Sequence, residues 1–143
     1  MNYKIVKNIE EFKSLKQDWN RLYKENQKYS VFQSFDFNYY SWKYSLEYID
    51  INLSIILVLK DLEITSILPF YIDKYKRLRF INDIHSDFCD IISKVDIDFN
   101  RVKKYIQSEF KIKSVHLINL REDSNLINDF LSYNLVEGEK YSV

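Results

Sequence analysis

Glycine is almost missing: Gly138 is the only one in 143 residues. Chemistry that needs a glycine-rich loop to bring backbone N–H groups against phosphate has no ordinary place in the body of this chain. Proline is as scarce. Pro69 lies inside an apolar run, where it cannot donate to a sheet ladder, so it marks a bulge or an edge. The single cysteine, Cys89, excludes an intrachain disulfide and fits a reducing, cytoplasmic setting. An excess of either charge is lacking too. Twenty-one basic residues balance 21 acidic ones, which leaves no general electrostatic case for nucleic acid or an anionic membrane. The longest apolar run, Ile55 to Leu59, is too short to span a bilayer, and MNYKIVKNIEEF lacks the apolar centre of a signal peptide.

What is present is a folding composition, 46% hydrophobic and 29% charged, with enough length for one domain with a true core. Aromatic residues are concentrated in VFQSFDFNYYSWKYS, Val31 to Ser45. Ser34 is placed to cap a helix from Phe35 to Tyr48. Phe35, Tyr39, Trp42 and Leu46 form one stripe of that helix, and Phe37, Tyr40, Tyr44 and Tyr48 form another. The stripes begin two residues apart, which is about 200° around the axis. A helix apolar on opposite faces is buried on both. The expectation is that one face rests on this chain's own sheet and the other on a second domain or a second copy.

Periodicity gives the remaining elements. Tyr3 to Val6 predicts a strand. Asn8 with Glu11 predicts a helix start, followed by Phe12, Leu15, Trp19 and Leu22 on one side. Leu53 to Leu59 predicts a central strand, Lys60 to Glu63 a turn, and Ile64 to Ile72 the hairpin partner. Further strands are expected at Leu78–Ile81, Asp90–Ser93 and Ser114–Leu120. A helix capped by Asp96 or Asp98 buries Phe99, Val102, Ile106 and Phe110, and Leu126, Ile127, Phe130 and Leu131 predict a final short helix. The fold class expected is mixed α/β, with a mostly antiparallel sheet flanked by helices, in one domain over residues 1–143.

An ordered set of segments resembles a known family. It comprises Trp19 and Leu22, Phe32-Gln33-Ser34-Phe35-Asp36-Phe37, Trp42, Ile67-Leu68-Pro69-Phe70-Tyr71, Leu78-Arg79-Phe80-Ile81 and Ser86-Asp87-Phe88-Cys89-Asp90. Together these are similar to the N-terminal half of the GNAT-type acyltransferases of the cellulose-biosynthesis and FemAB-like group, proteins built from two GNAT-like halves. The resemblance implies acyl transfer from acetyl-CoA or another acyl-CoA to an amine or hydroxyl of a small molecule or glycan, an envelope sugar being one candidate. It implies that the second half holds the acyl donor, and that this chain binds no cofactor alone. The substrate-cleft candidates it implies are Gln33, Trp42, Asp87 and Cys89, with no catalytic base assigned. The alternative is a non-catalytic, degenerate GNAT-fold module for binding or dimerisation through the Phe35–Tyr48 helix.

Residue chemistry bears on both. A pyrophosphate site is expected at a helix N-terminus, yet Ser93 to Asp98 contains no glycine and two aspartates that would repel phosphate. His85, Asp87 and Cys89 would share a face of a strand, but no second ligand pair accompanies them, so no metal is expected. Cys89 in an apolar strand reads as packing before it reads as a nucleophile. Gln33 can equally serve as a cap or a loop bond. His116 reads as a strand histidine, and the Lys74–Arg79 run as a solvated hairpin end.

Overall fold

The computed structural model describes residues 1–46 and 50–127, with the backbone alone at 45, 46 and 127. The first strand, β1 (Asn2–Val6), is followed by Asn8, whose side chain accepts from the Glu11 amide at 2.9 Å and starts α1 (Ile9–Ser14). One continuous helix was expected here. Instead the chain breaks at Leu15 and resumes as α2 (Lys16–Lys24). Ser14 explains the break. Its hydroxyl donates to the Glu11 carbonyl at 2.6 Å and competes with the helix ladder. The expected inward residues Phe12, Leu15, Trp19 and Leu22 are all buried.

A single 3-10 turn (Val31–Gln33) leads into α3 (Phe35–Ser41), capped by Ser34 Oγ on the Phe37 amide. The α-helix is shorter than expected and widens into a π turn at Trp42–Leu46; Tyr48 lies outside the described residues. Its inner face, Phe35 and Tyr39, packs on Phe12 and Trp19 with ring centroids 5.4–5.8 Å apart. Its outer face is open, with Tyr40 48% and Tyr44 62% exposed.

The sheet is built on the hairpin β2 (Asn52–Lys60) and β3 (Glu63–Ile72), turning at Asp61 and Leu62, both with positive φ. Strand β4 (Arg77–Phe80) continues antiparallel. Then a helix, α4 (Phe99–Glu109), crosses over to β7 (Ser114–His116), which runs parallel to β4. The order is β1-β2-β3-β4-β7, an open and mostly antiparallel sheet. Strand β2 is buried on both faces, as its unbroken apolar run requires. Ile56 and Val58 join the core under α4, and Ile55 and Leu57 the core under α1–α3.

Pro69 marks the place where the next strand leaves. Its carbonyl accepts from Ile81, so the missing N–H faces that same side. There the partner of β3 is interrupted: β4 pairs with Phe70–Ile72, and the short β5 (Ile92–Ser93) pairs with Ser66–Ile67. The strand expected over Asp90–Ser93 is thus the far half of one broken strand. The final helix expected from Leu126 is a strand instead at its first two residues. This strand, β8 (Leu126–Ile127), pairs in parallel with β6 (Ile97–Asp98), while Phe130 and Leu131 lie outside the described residues. A two-residue apolar pair carries no period, so tertiary pairing decides.

Candidate functional site

The interruption of the fourth strand builds a corner that frames an open groove. Asn82 turns the chain out of β4 with φ 54°, a conformation asparagine tolerates, and donates to Ser41 Oγ at 2.8 Å. A 3-10 turn (Asp83–His85) follows, and the Ser86 hydroxyl donates back to the Asn82 carbonyl. The chain re-enters the sheet at Cys89, which forms a parallel bridge with Leu120: the Cys89 amide donates to the Asn119 carbonyl, and the Arg121 amide to the Cys89 carbonyl. Asn119 also has positive φ, 56°, and bends the strand exit outward.

Between these two exits lies an open groove of about 710 Å³. Asp87, Glu122 and Asp123 supply carboxylates to its lining, and Arg121 supplies one guanidinium. Phe88 is half-exposed within it, and the Arg121 guanidinium lies 5.4 Å over that ring while bonding Asp123 at 3.0 Å.

Of the four cleft candidates, three meet at this corner. Asp87 lines the groove. Cys89 lies behind it, 4% exposed, and burial, reinforced by the Asp83 charge, pushes its thiol up to about 12. A thiol held protonated is a poor nucleophile. Gln33 is buried and fully used: its Nε2 donates to the Phe88 carbonyl at 2.8 Å, and its Oε1 accepts from the Ser30 amide and hydroxyl. Its own carbonyl accepts from the Trp19 indole at 2.9 Å, so it struts the groove loop against the helical layer. Trp42 does not join them; it is partly buried with its ring 6.1 Å from that of Tyr71. His85 and Asp87 are exposed while Cys89 is buried, so these three do not share a face. Among the described residues no cluster of three or more His, Cys, Asp or Glu could hold a metal ion.

The helix N-terminus weighed for pyrophosphate is capped from within. Asp98 Oδ1 accepts from the Asn100 amide at 2.9 Å, and Asp96 stands exposed two residues before it. His116 is partly buried opposite Arg79, and burial together with Arg77 and Arg79 holds its pKa down.

Two clusters were not anticipated. The basic run at Lys74–Arg79 is not simply solvated. Arg79 grips Asp83 with two bonds of 2.7 and 2.8 Å, and Arg77 bonds Asp73 at 2.6 Å. Burial alone would lower the Arg79 pKa, but the bonds to Asp83 outweigh it and raise it. The acid–base spacing of four in Asp73–Arg77 and Arg79–Asp83 was the available signal. The second cluster surrounds Asp90, 2% exposed, whose Oδ1 bonds Ser124 Oγ at 2.5 Å. Burial pushes this carboxyl up to about 6. No helix among the described residues is long and apolar enough to cross a membrane. No family model, curated protein or solved structure matches the chain.

Proposed function

We propose that this chain is a GNAT-like acyltransferase domain that forms the acceptor side of a cleft, while a second GNAT-like half holds acetyl-CoA or another acyl-CoA. The observation that carries this reading is the strand order: a run of antiparallel strands, then one parallel pair joined by a crossover helix. It agrees with the element order on which the family resemblance rests, and it is a fold-level analogy. The groove is lined by residues that follow β4 and β7, the parallel pair, which is the side on which open α/β sheets receive ligands. The self-capped start of α4 supports the donor's being held elsewhere.

In this role the groove orients an amine or hydroxyl of a small molecule or glycan. That nucleophile attacks the thioester carbonyl, the C–S bond breaks, CoA leaves as thiolate, and the acceptor's proton passes to a base or water. A second reading, a non-catalytic module that dimerises through α3 and the π turn that follows it, is favoured by the open outer face there. Tyr40 and Tyr44 stack there at 5.8 Å, both exposed.

Calorimetry with acetyl-CoA, on protein whose mass is measured by light scattering, tests both. The expected result is no binding in the micromolar range. Micromolar binding would overturn the assignment of the donor to another half. No binding, with a dimer that Tyr40→Glu and Tyr44→Glu together dissociate, would favour the module over the half-enzyme.

A further inference from the structure

Arg121, Glu122 and Asp123 line the groove and begin a strap, residues 121–126, that is held at several points. The Arg121 amide donates to the Cys89 carbonyl at 3.1 Å, and Lys28 Nζ donates to the Asp123 carbonyl at 2.6 Å. Asn125 donates from its side chain to the Ser93 carbonyl and accepts at its own carbonyl from the Ile97 amide. Asp90 lies at the centre of these attachments. Its Oδ1 takes the Ser124 hydroxyl and the Ile91 amide, and Ser124 Oγ in turn accepts from the Leu126 amide. Asp90 Oδ2 has no hydrogen-bond partner among the described residues, and no ion pair within 4 Å engages the carboxyl. A carboxylate 2% exposed with one bare oxygen is costly when ionised.

The groups that face it come from two sides. Lys28 and Tyr29 approach from the turn after α2, and Arg121 and Asp123 from the strap, while the Cys89 thiol is adjacent in sequence. Both cations are otherwise engaged with Asp123, Arg121 through the carboxylate and Lys28 through the carbonyl. Tyr29 is not free to respond, since its hydroxyl both donates to the Ser93 carbonyl and accepts from the Ser93 amide.

We propose that Asp90 is a proton-operated catch for the groove wall: protonated, it is buried at little cost beneath residues 121–126, and ionised, its bare Oδ2 gains water only when that strap opens. Its burial places the transition in the mildly acidic range, and the folded carboxyl titrates near pH 6 against an ordinary 3.8. The native state therefore favours the proton, so the stability held below pH 3.8 is lost as the pH rises to about 6, and the loss is complete above that. The catch acts on the wall whatever the groove binds, so it stands or falls apart from the acyl-transfer role.

Hydrogen exchange of the full chain between pH 4.5 and 7.5, corrected for intrinsic rates, reads it out. The Ile97, Arg121 and Leu126 amides are expected to open more readily than those of β2 and β3. Their opening constant should rise roughly 30-fold across that range in the native protein, and less than about 3-fold in Asp90→Asn. If these amides stay as protected as the β2–β3 amides at every pH, or if the native opening constant does not change with pH, the catch does not exist. The native series alone decides this if the variant fails to fold.

Discussion

Asp83 and Asp90 lie in the same interrupting segment, and both are at most 2% exposed. Asp83 faces Arg79 with both oxygens engaged, at 2.7 and 2.8 Å, and Arg79 extends to Asp73, which the Arg77 and Tyr75 amides and the Arg77 guanidinium also hold. Asp90 has one oxygen bonded and one bare. Asp73, which shares that brace, and Asp90 shift in opposite directions. Burial pushes Asp73 up, but its hydrogen bonds outweigh this and hold it below the ordinary range, whereas burial prevails at Asp90. The same degree of burial thus produces a saturated brace at one end of the segment and a responsive group at the other. Partner count, not depth, separates them.

Asp83→Ala breaks the comparison on its saturated side and should have the largest effect. It leaves the Arg79 guanidinium, 18% exposed, without its bidentate carboxylate. Removing one member of a buried pair costs about 3–5 kcal/mol. Urea unfolding should show a lowered midpoint with an unchanged slope. A loss below about 1 kcal/mol would mean that water or Asp73 replaces Asp83 at little cost, and that the two ends of the segment differ less than their geometry says.

The acid–base spacing of four gives this brace a signal in the sequence, although the run reads there as a solvated hairpin end, and the Asp90 corner has no such signal. Local chemistry was legible. Asn8, Ser34 and Asp98 cap helices because each needs only its own neighbours, and Lys60–Glu63 turns the hairpin for the same reason. Pro69 predicted a ladder fault, and the fault lies on the side its missing N–H faces. Of the four cleft candidates Gln33, Trp42, Asp87 and Cys89, the structure joins the loops of Gln33 and Asp87 through the Phe88 carbonyl. What no window of sequence discloses is the burial of Asp90. That depends on a strap more than thirty residues away folding back over it through Ser124. Nor does local pattern separate a two-residue strand such as Leu126–Ile127 from the start of a helix.

Asp90→Asn sharpens the comparison from the responsive side and has the opposite sign. Asparagine keeps the shape and neutrality of the protonated acid. Because the folded carboxyl titrates near 6 rather than 3.8, the native protein is most stable in acid with respect to this group and loses that stability as pH rises. The variant should therefore be more stable than the native chain by about 3 kcal/mol at pH 7.5 and by only about 1 kcal/mol at pH 4.5. Thermal melts at the two pH values check both the size and the sign. Equal destabilisation at both would show that Asp90 is an ordinary packed polar group.

Ser124→Ala has the smallest effect and tests whether the two halves of the catch belong together. The Ser124 hydroxyl donates to Asp90 and so favours the charged form, opposing part of the burial cost. Without it the Asp90 carboxyl should titrate above its present value, and the fall of stability with rising pH should steepen. In acid the loss should be about 1 kcal/mol, that of a neutral hydrogen bond. At pH 7.5 it should approach about 2 kcal/mol, since the bond then serves a carboxylate. In an Asp90→Asn background the cost of Ser124→Ala should stay near the lower figure at both pH values. The coupling between the two substitutions, measured as a double-mutant cycle, should thus appear only where Asp90 is ionised. A coupling of the same size at pH 4.5 and 7.5 would mean that Ser124 responds to the shape of residue 90 and not to its charge.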